Sequence, residues 1–321
     1  MRWLLLLALI VAACDGAEEL RSYRVGLSPW VPWSPAQVAL VRGLWRELGV
    51  TVTVSDHVTA EEHCIAVTHR QIDLAIDRVG SVIALQQSGL PMTLLGECGW
   101  AHHQERLIGR AASGPERGAT IGVQSDDPAA LGFLDAALRA RGVGLTEVTV
   151  KVLAPQDLAG EYIRRRLDWL LVEEPFASDV LDRGAHLLAS IADLPGCVPI
   201  AFAARADVIA TIPRADLVRI LSGWLEASRW MVDPANAKAC RAILVERTLL
   251  DAQDEPAVQA TMNAVRNHDL ATLTERNRPA GGLQQYVAHC AALLTQTKRL
   301  QRPIDPAAMI DCTALNEALA K

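Results

Sequence analysis

The chain has 321 residues, half of them hydrophobic and 21% charged, with a formal net charge of −6. That composition excludes a disordered chain, and at roughly 150 residues per domain the length fits about two domains. The acidic balance excludes nucleic acid as a main partner, because phosphate binding needs a basic face. Seven cysteines is an odd count, so one of them is expected to stand apart from pairing.

The N-terminus supplies that one. A single cation, Arg2, precedes an unbroken apolar run from Trp3 to Ala13. The run is too short for the ~20 residues of a spanning helix and reads as a signal peptide. It closes in Val11-Ala12-Ala13-Cys14-Asp15, which resembles a bacterial lipobox. Residues 1–13 are then expected to be removed and Cys14 lipidated, with Asp15 pointing to retention at the inner membrane and residues 14–22 acting as a tether. Stable anchoring takes two acyl chains, since one binds only marginally. Export implies an oxidising compartment, so Cys64, Cys98, Cys197, Cys240, Cys290 and Cys312 are candidates for disulfides. Cys240 with Cys290, both on C-terminal helices, is the preferred pair; buried free thiols are the alternative.

Strands and helices then alternate. Tyr23–Leu27 is a short strand, and Ser34 opens a helix with Pro35 at its first position and Gln37 completing a capping box. Its apolar stripe, Val38, Val41, Leu44, Trp45 and Leu48, runs to a stop at Gly49. Val50–Val54 alternates as a strand, and Thr59 with Glu62 is a second capping box opening a helix to about Arg70. Asp73–Asp77 and Met92–Leu95 are strands around a helix Gly80–Ser88. A second run follows the polar stretch Ala111–Arg117: strand Ala119–Val123, a helix from Asp127-Pro128 to Arg141, strand Val148–Leu153, a helix to Arg166, strand Trp169–Val172, a helix Phe176–Arg183 and strand His186–Ala189. After a strand Ile200–Ala204, helices dominate, from Pro213 to Met231, from Asp233-Pro234, and from Leu283 to Leu300. This rhythm predicts an α/β protein with parallel sheets flanked by helices, in two lobes, the chain returning to the first.

In open parallel sheets, ligands bind where strands end and loops begin. Those loops are Ser28–Ser34, Ser55–His57, Asp77–Gly80, Gln124–Pro128 and Glu173–Pro175. Trp30 and Trp33 sit among prolines in the first, placed to stack on a ring or cage a cation, with core packing as the alternative. Glu174 is placed to accept hydrogen bonds from an amine, or to be a solvated loop acid. Asp126 and Asp127 read first as helix caps, and a capping carboxylate fills the place where a helix N-terminus would hold an anion. The candidate ligand contacts are Trp30, Trp33, Asp56, Asp77, Arg78, Ser125, Asp126, Glu173 and Glu174. His63, Cys64 and His69 do not share one helix face, so no metal site is assigned, and no cofactor motif occurs: no P-loop, GxGxxG, GxSxG or HExxH. His102-His103 and Arg164-Arg165-Arg166 read as exposed groups. No nucleophile–base motif is present either, which weighs against an enzyme.

These segments together resemble the substrate-binding proteins of ABC importers, of the nitrate, sulfonate, taurine and thiamine-precursor type. The carrying residues are Arg24–Trp30, Gln71–Ala75, Ile121–Ser125, Leu194-Pro195-Gly196 and, most strongly, Leu167-Asp168-Trp169-Leu170-Leu171-Val172-Glu173-Glu174-Pro175-Phe176-Ala177. Glu173 departs from the tryptophan common at that place. The resemblance spans residues 23–310 and implies a two-lobed periplasmic-binding-protein fold of type II, each lobe a mostly parallel sheet flanked by helices, with a helical C-terminal region. Residues 23–100 with 200–321 would form one lobe and 101–199 the inserted other. It also implies a monomer that closes about a hinge on a small solute and hands it to a permease and ATPase complex. The loop acids Asp56, Asp77, Asp126, Asp127, Glu173 and Glu174 face Arg78 alone, which favours a neutral or cationic nitrogenous solute, such as a pyrimidine thiamine precursor. The alternatives are a nitrate-, sulfonate- or taurine-type binding protein, an enzyme like those that make the thiamine pyrimidine on this architecture, and a ligand-sensing partner of a signalling receptor. The clustered cysteines of that enzyme type are absent here, the cysteines being scattered.

Overall fold

The computed structural model describes residues 20–102, 105–173 and 176–321. The expected leader 1–13, the expected lipidation site Cys14 and the candidate Glu174 lie outside the described residues. The chain first forms β1 (Ser22–Leu27), β2 (Thr51–Asp56), β3 (Leu74–Arg78) and β4 (Met92–Ala101). Next come β5 (Glu105–Gly109), β6 (Thr120–Val123), β7 (Thr149–Val152), β8 (Trp169–Glu173) and β9 (His186–Ser190). The last two are β10 (Pro199–Arg205) and β11 (Val265–Asn267).

They build two sheets, in the orders β11-β4-β10-β3-β1-β2 and β7-β6-β8-β5-β9. In each, three strands pair in parallel: β2, β1 and β3 in one, β7, β6 and β8 in the other. In the first sheet β10 runs against β3 and β4, and β11 against β4; in the second β5 runs against β8 and β9. β5 and β10 are each the first strand formed after the chain changes sheet. The sequence rhythm thus gives the α/β class and the parallel trio in each sheet, while each sheet as a whole is mixed. It overlooks β5 and β11 and shortens β4.

Local chemistry explains most element ends. Both capping boxes form, at Ser34 with Gln37 and at Thr59 with Glu62, and Asp127 caps the helix Pro128–Arg139 through Ala130 N. One expected helix is corrected. The stripe read through to Leu48 breaks at Gly43, whose left-handed backbone (φ 74°) ends the helix Pro35–Arg42 and donates back to Ala39 O and Leu40 O. The long helix Arg214–Val232 lies against the first sheet, with Trp224 edge-on to Phe202 of β10 at 5.4 Å.

Gly80 marks where the two halves touch. It opens the helix Val79–Ser88 beside the start of the helix Pro128–Arg139, and a Cβ there would fall 2.6 Å from Ala129 Cα. Only glycine permits that approach of backbone to backbone. The cysteines correct another expectation. All six among the described residues are free thiols. Cys240 packs in the core around Trp224, whereas Cys290 packs with Ile83 and Val287 in a separate cluster, so no Cys240–Cys290 bridge forms. Burial pushes the Cys290 thiol up to about 12. Among the described residues, no helix is long and apolar enough to cross a membrane.

Candidate functional site

A cavity of about 470 Å³ opens where the carboxyl ends of the parallel strands of both sheets meet, a volume within the ordinary range of small-molecule sites. β1 delivers Ser28 and Trp30, β3 delivers Asp77 and Arg78, β6 delivers Gln124, Ser125 and Asp127, and β8 delivers Glu173. The reversed strand β5 begins at this end, and its first residue, Glu105, joins the wall. The helix Ala60–Thr68 adds His63 and Cys64.

Arg78 is the centre of the site. It is 3% exposed, with Nη1 donating to Glu105 Oε1 at 2.8 Å and Nη2 to Asp127 Oδ2 at 3.0 Å. Nε donates to Ser81 Oγ at 3.3 Å, and the guanidinium lies over the Trp30 ring, 3.8 Å from its centroid. Burial works against the charge, but Asp127, Glu105, Glu173 and Asp77 more than offset it and hold the Arg78 pKa above the ordinary arginine value. Asp127 has its other oxygen committed too, accepting from Ala130 N at 2.8 Å, while its own N–H donates to Ser125 Oγ at 3.0 Å. The helix N-terminus at this wall is therefore occupied by a carboxylate of the chain itself.

The remaining acids lie in an unusual balance. Burial, then the nearby carboxylates of Glu105 and Asp127, push Glu173 up to about 8 against the pull of Arg78. Burial likewise raises Glu105, with Arg78 opposing and Asp127 adding. Asp77 accepts the Arg78 N–H at 2.7 Å, and its Oδ2 stands 3.7 Å from His63 Nε2. His63 shares one proton with His57 across a 2.8 Å Nδ1–Nδ1 contact, and burial holds its pKa below the ordinary histidine value. Among the described residues, three buried polar atoms at this wall have no hydrogen-bond partner: Ser28 Oγ, His63 Nε2 and Glu105 Oε2. An orphaned buried polar atom costs roughly 1–3 kcal/mol, so three on one cavity mark it as made for an occupant.

Of the residues expected from sequence, Trp30, Asp77, Arg78, Ser125 and Glu173 line this cavity. Three do not. Trp33 is 3% exposed in the core, packed beneath the loop that presents Trp30. Asp56 is tied at the end of β2 by Gln37 Nε2 at 2.7 Å and Arg247 Nη2 at 2.9 Å. Asp126 points outward to Arg299 Nε at 3.0 Å. Sequence reasoning passed over Glu105, weighed His63 only as a metal ligand, and took Asp127 as a cap and a loop acid without placing it among the ligand contacts. An acidic residue opening a reversed strand is invisible to a rule that searches the loops after parallel strands. Among the described residues, no group of three or more His, Cys, Asp or Glu is placed to hold a metal ion.

Residues 100–245 match the model of the NMT1-like family. No curated protein sequence matches the chain significantly. Solved structures do. A putative periplasmic sulfonate-binding protein of an ABC transporter from Methylobacillus flagellatus is 16% identical, covers 94% of this chain and 95% of its own, and superposes with a TM-score of 0.62. The periplasmic nitrate-binding protein of Synechocystis is 13% identical over 94% of this chain and 89% of its own, with a TM-score of 0.60. The desulfurization enzyme DszB is 13% identical over 94% and 99%, with a TM-score of 0.58. At such identities the likeness establishes the fold, and that fold carries both binding proteins and an enzyme.

Proposed function

We propose that this chain, which has the two-lobed fold of the periplasmic substrate-binding proteins, is the extracytoplasmic receptor of an ABC importer. It clamps a small, nitrogenous, neutral or cationic solute, of which a pyrimidine thiamine precursor is the working example, and delivers it to a permease and ATPase. The lobes are residues 23–100 with 200–321, and 101–199, and the sheet membership of the strands supports that division. The lipobox-like end at Cys14 supports a periplasmic protein tethered to the membrane.

The observation that carries the choice of solute is the saturation of Arg78. A site for nitrate or a sulfonate needs free donors. Here the guanidinium is already bound by two carboxylates, and the adjoining helix N-terminus is filled by Asp127. The unpartnered atoms at the wall are a Glu105 carboxylate oxygen, which only accepts, and a Ser28 hydroxyl and a His63 ring nitrogen, each able to accept. Titration calorimetry of the purified protein with an amino-methylpyrimidine, taurine and nitrate tests this. Binding of the pyrimidine alone is expected. Binding of taurine or nitrate without the pyrimidine would return the site to the anion-binding class, and turnover of any of the three would make it an enzyme.

A further inference from the structure

Glu105 and Glu173 stand directly opposite each other in the antiparallel register of β5 and β8. Opposed residues on paired strands project from the same face with their Cβ atoms about 5 Å apart. Both side chains line the cavity. Glu105 is 5% exposed, and its two oxygens are unlike: Oε1 is held by Arg78 at 2.8 Å, while Oε2 is buried without a partner among the described residues. Among the described residues, Glu173 has no hydrogen-bond partner for its carboxyl group. Two acids thus converge on one patch of the wall with Glu105 Oε2 and the Glu173 carboxyl group unused, and the neighbouring cation is committed to Glu105 Oε1 and Asp127.

We propose that Glu105 and Glu173 form a paired-carboxyl seat for a permanently charged nitrogen group with two adjacent N–H donors, such as an amidinium or guanidinium, and that filling the seat releases one proton to solvent. This rests on the amine-binding reading above and narrows it. One N–H goes to Glu105 Oε2 and the other to Glu173. The O–H bond of Glu173 breaks, its proton leaves to water, and the carboxylate left behind neutralises the incoming charge. A neutral amide or sugar hydroxyl offers no charge to displace that proton.

The charged and titratable groups around Glu173 set the pH at which this happens. They are Glu105 on β5, Arg78 closing β3, Asp127 heading the helix Pro128–Arg139, and Asp77, His63 and Cys64 further round the wall. Burial, with Glu105 and Asp127, keeps Glu173 protonated up to about 8 in the free protein. Affinity for a permanent cation then falls by up to about tenfold for each pH unit below that value and levels off above it.

Calorimetry with benzamidine, whose charge is constant over this range, in phosphate and in Tris buffer at about pH 7 counts the protons released. About one proton per bound molecule is expected. Glu173→Gln is isosteric with the protonated form and should fold unchanged. At about pH 9 it should bind benzamidine at least about tenfold more weakly and release no proton. Glu105→Gln should weaken binding at every pH, and carbon-13 NMR should show Glu173 titrating nearer the ordinary glutamate range. Failure of benzamidine to bind, identical heats in the two buffers, or an unchanged pH profile in Glu173→Gln overturns the seat. Any of these failures alongside pyrimidine binding overturns the seat and leaves the amine-binding reading standing. Taurine binding without the pyrimidine removes both.

Discussion

Two buried ion centres lie on strands of the same sheet, and they are built with opposite polarity. On β4, Glu97 is fully buried and surrounded by donors. Arg276 grips it with Nε and Nη2, each at 2.8 Å, Trp100 Nε1 donates at 2.8 Å, and His268 Nε2 lies 2.9 Å away. Asn277 adds a reciprocal pair of hydrogen bonds to the Glu97 backbone. At the end of β3, Arg78 is as deeply buried and is surrounded by acceptors. Around Glu97, among the described residues, every buried polar atom finds a partner; around Arg78, three do not. Burying a charge is costly in either place. The Glu97 centre recovers that cost within the fold and ties β4 to the C-terminal helices. The Arg78 centre recovers only part of it, and the remainder is available to a ligand. Completeness marks the structural centre, and incompleteness marks the binding one.

The sharpest break between the two should come from Glu97→Gln. It removes the charge that the Arg276 fork requires and should cost about 3–5 kcal/mol of stability, read by chemical denaturation, while solute affinity in the folded fraction stays within about twofold. A loss of affinity with stability intact would place Glu97 in the binding machinery and dissolve the contrast. The two tryptophans divide in the same way. Trp33→Ala should cost about 3 kcal/mol or more of stability, because it empties a core position. Trp30→Ala should leave stability within about 1 kcal/mol and weaken solute binding about tenfold, since it removes the ring over Arg78 at the cavity. Equal effects of both substitutions on affinity would put Trp33 back in the site.

Much of this was legible in the sequence, and the gaps have physical causes. Hydrophobic alternation and the capping boxes at Ser34 and Thr59 revealed the parallel strands and their helices, because those signals are local. Glu105 was hidden because β5 runs backwards, so the residue that reaches the site opens the strand instead of following it. Trp30 and Trp33 share one proline-rich loop, and composition treats them alike. A finer signal separates them: Trp33 immediately precedes the cap Ser34, the position from which an apolar side chain packs under the helix, here with Val38 in the same core cluster. The cysteines carried no such signal. Their pairing depends on which core each helix face enters, and Cys240 and Cys290 enter different ones.

Glu173 gives a smaller effect with a definite sign. Its folded value, about 8, lies above the ordinary 4.5 of an unfolded chain. Between those two values the folded state binds more protons than the unfolded one, so this group's contribution to stability falls as pH rises. Below about 4.5 both states are protonated and the contribution vanishes; above about 8 the penalty is complete. Glu173→Gln should remove that decline and be more stable than wild type at pH 8, by on the order of 2 kcal/mol once solvent screening at the cavity wall is allowed for. An unchanged slope of stability against pH would mean that Glu173 ionises at its ordinary pH in the folded protein, and the Arg78 centre would then be no less complete than that of Glu97.

Asp126 supplies the smallest effect and the control for the whole contrast. It is the immediate neighbour of Asp127, and from sequence the two are indistinguishable. Asp127 turns inward to Arg78 and caps a helix, whereas Asp126 turns outward to Arg299 with both partners substantially exposed. An exposed ion pair is worth little, because water screens it and two mobile side chains must be held still. Asp126→Asn should therefore change stability by about 0.5 kcal/mol or less and leave solute affinity and its pH dependence unchanged. If Asp126→Asn instead weakened binding as strongly as a substitution at Glu173, the relevant field would be the summed charge of the loop and not the paired, buried carboxyls. The distinction drawn here between satisfied and unsatisfied atoms would then fail at the place where it is easiest to measure.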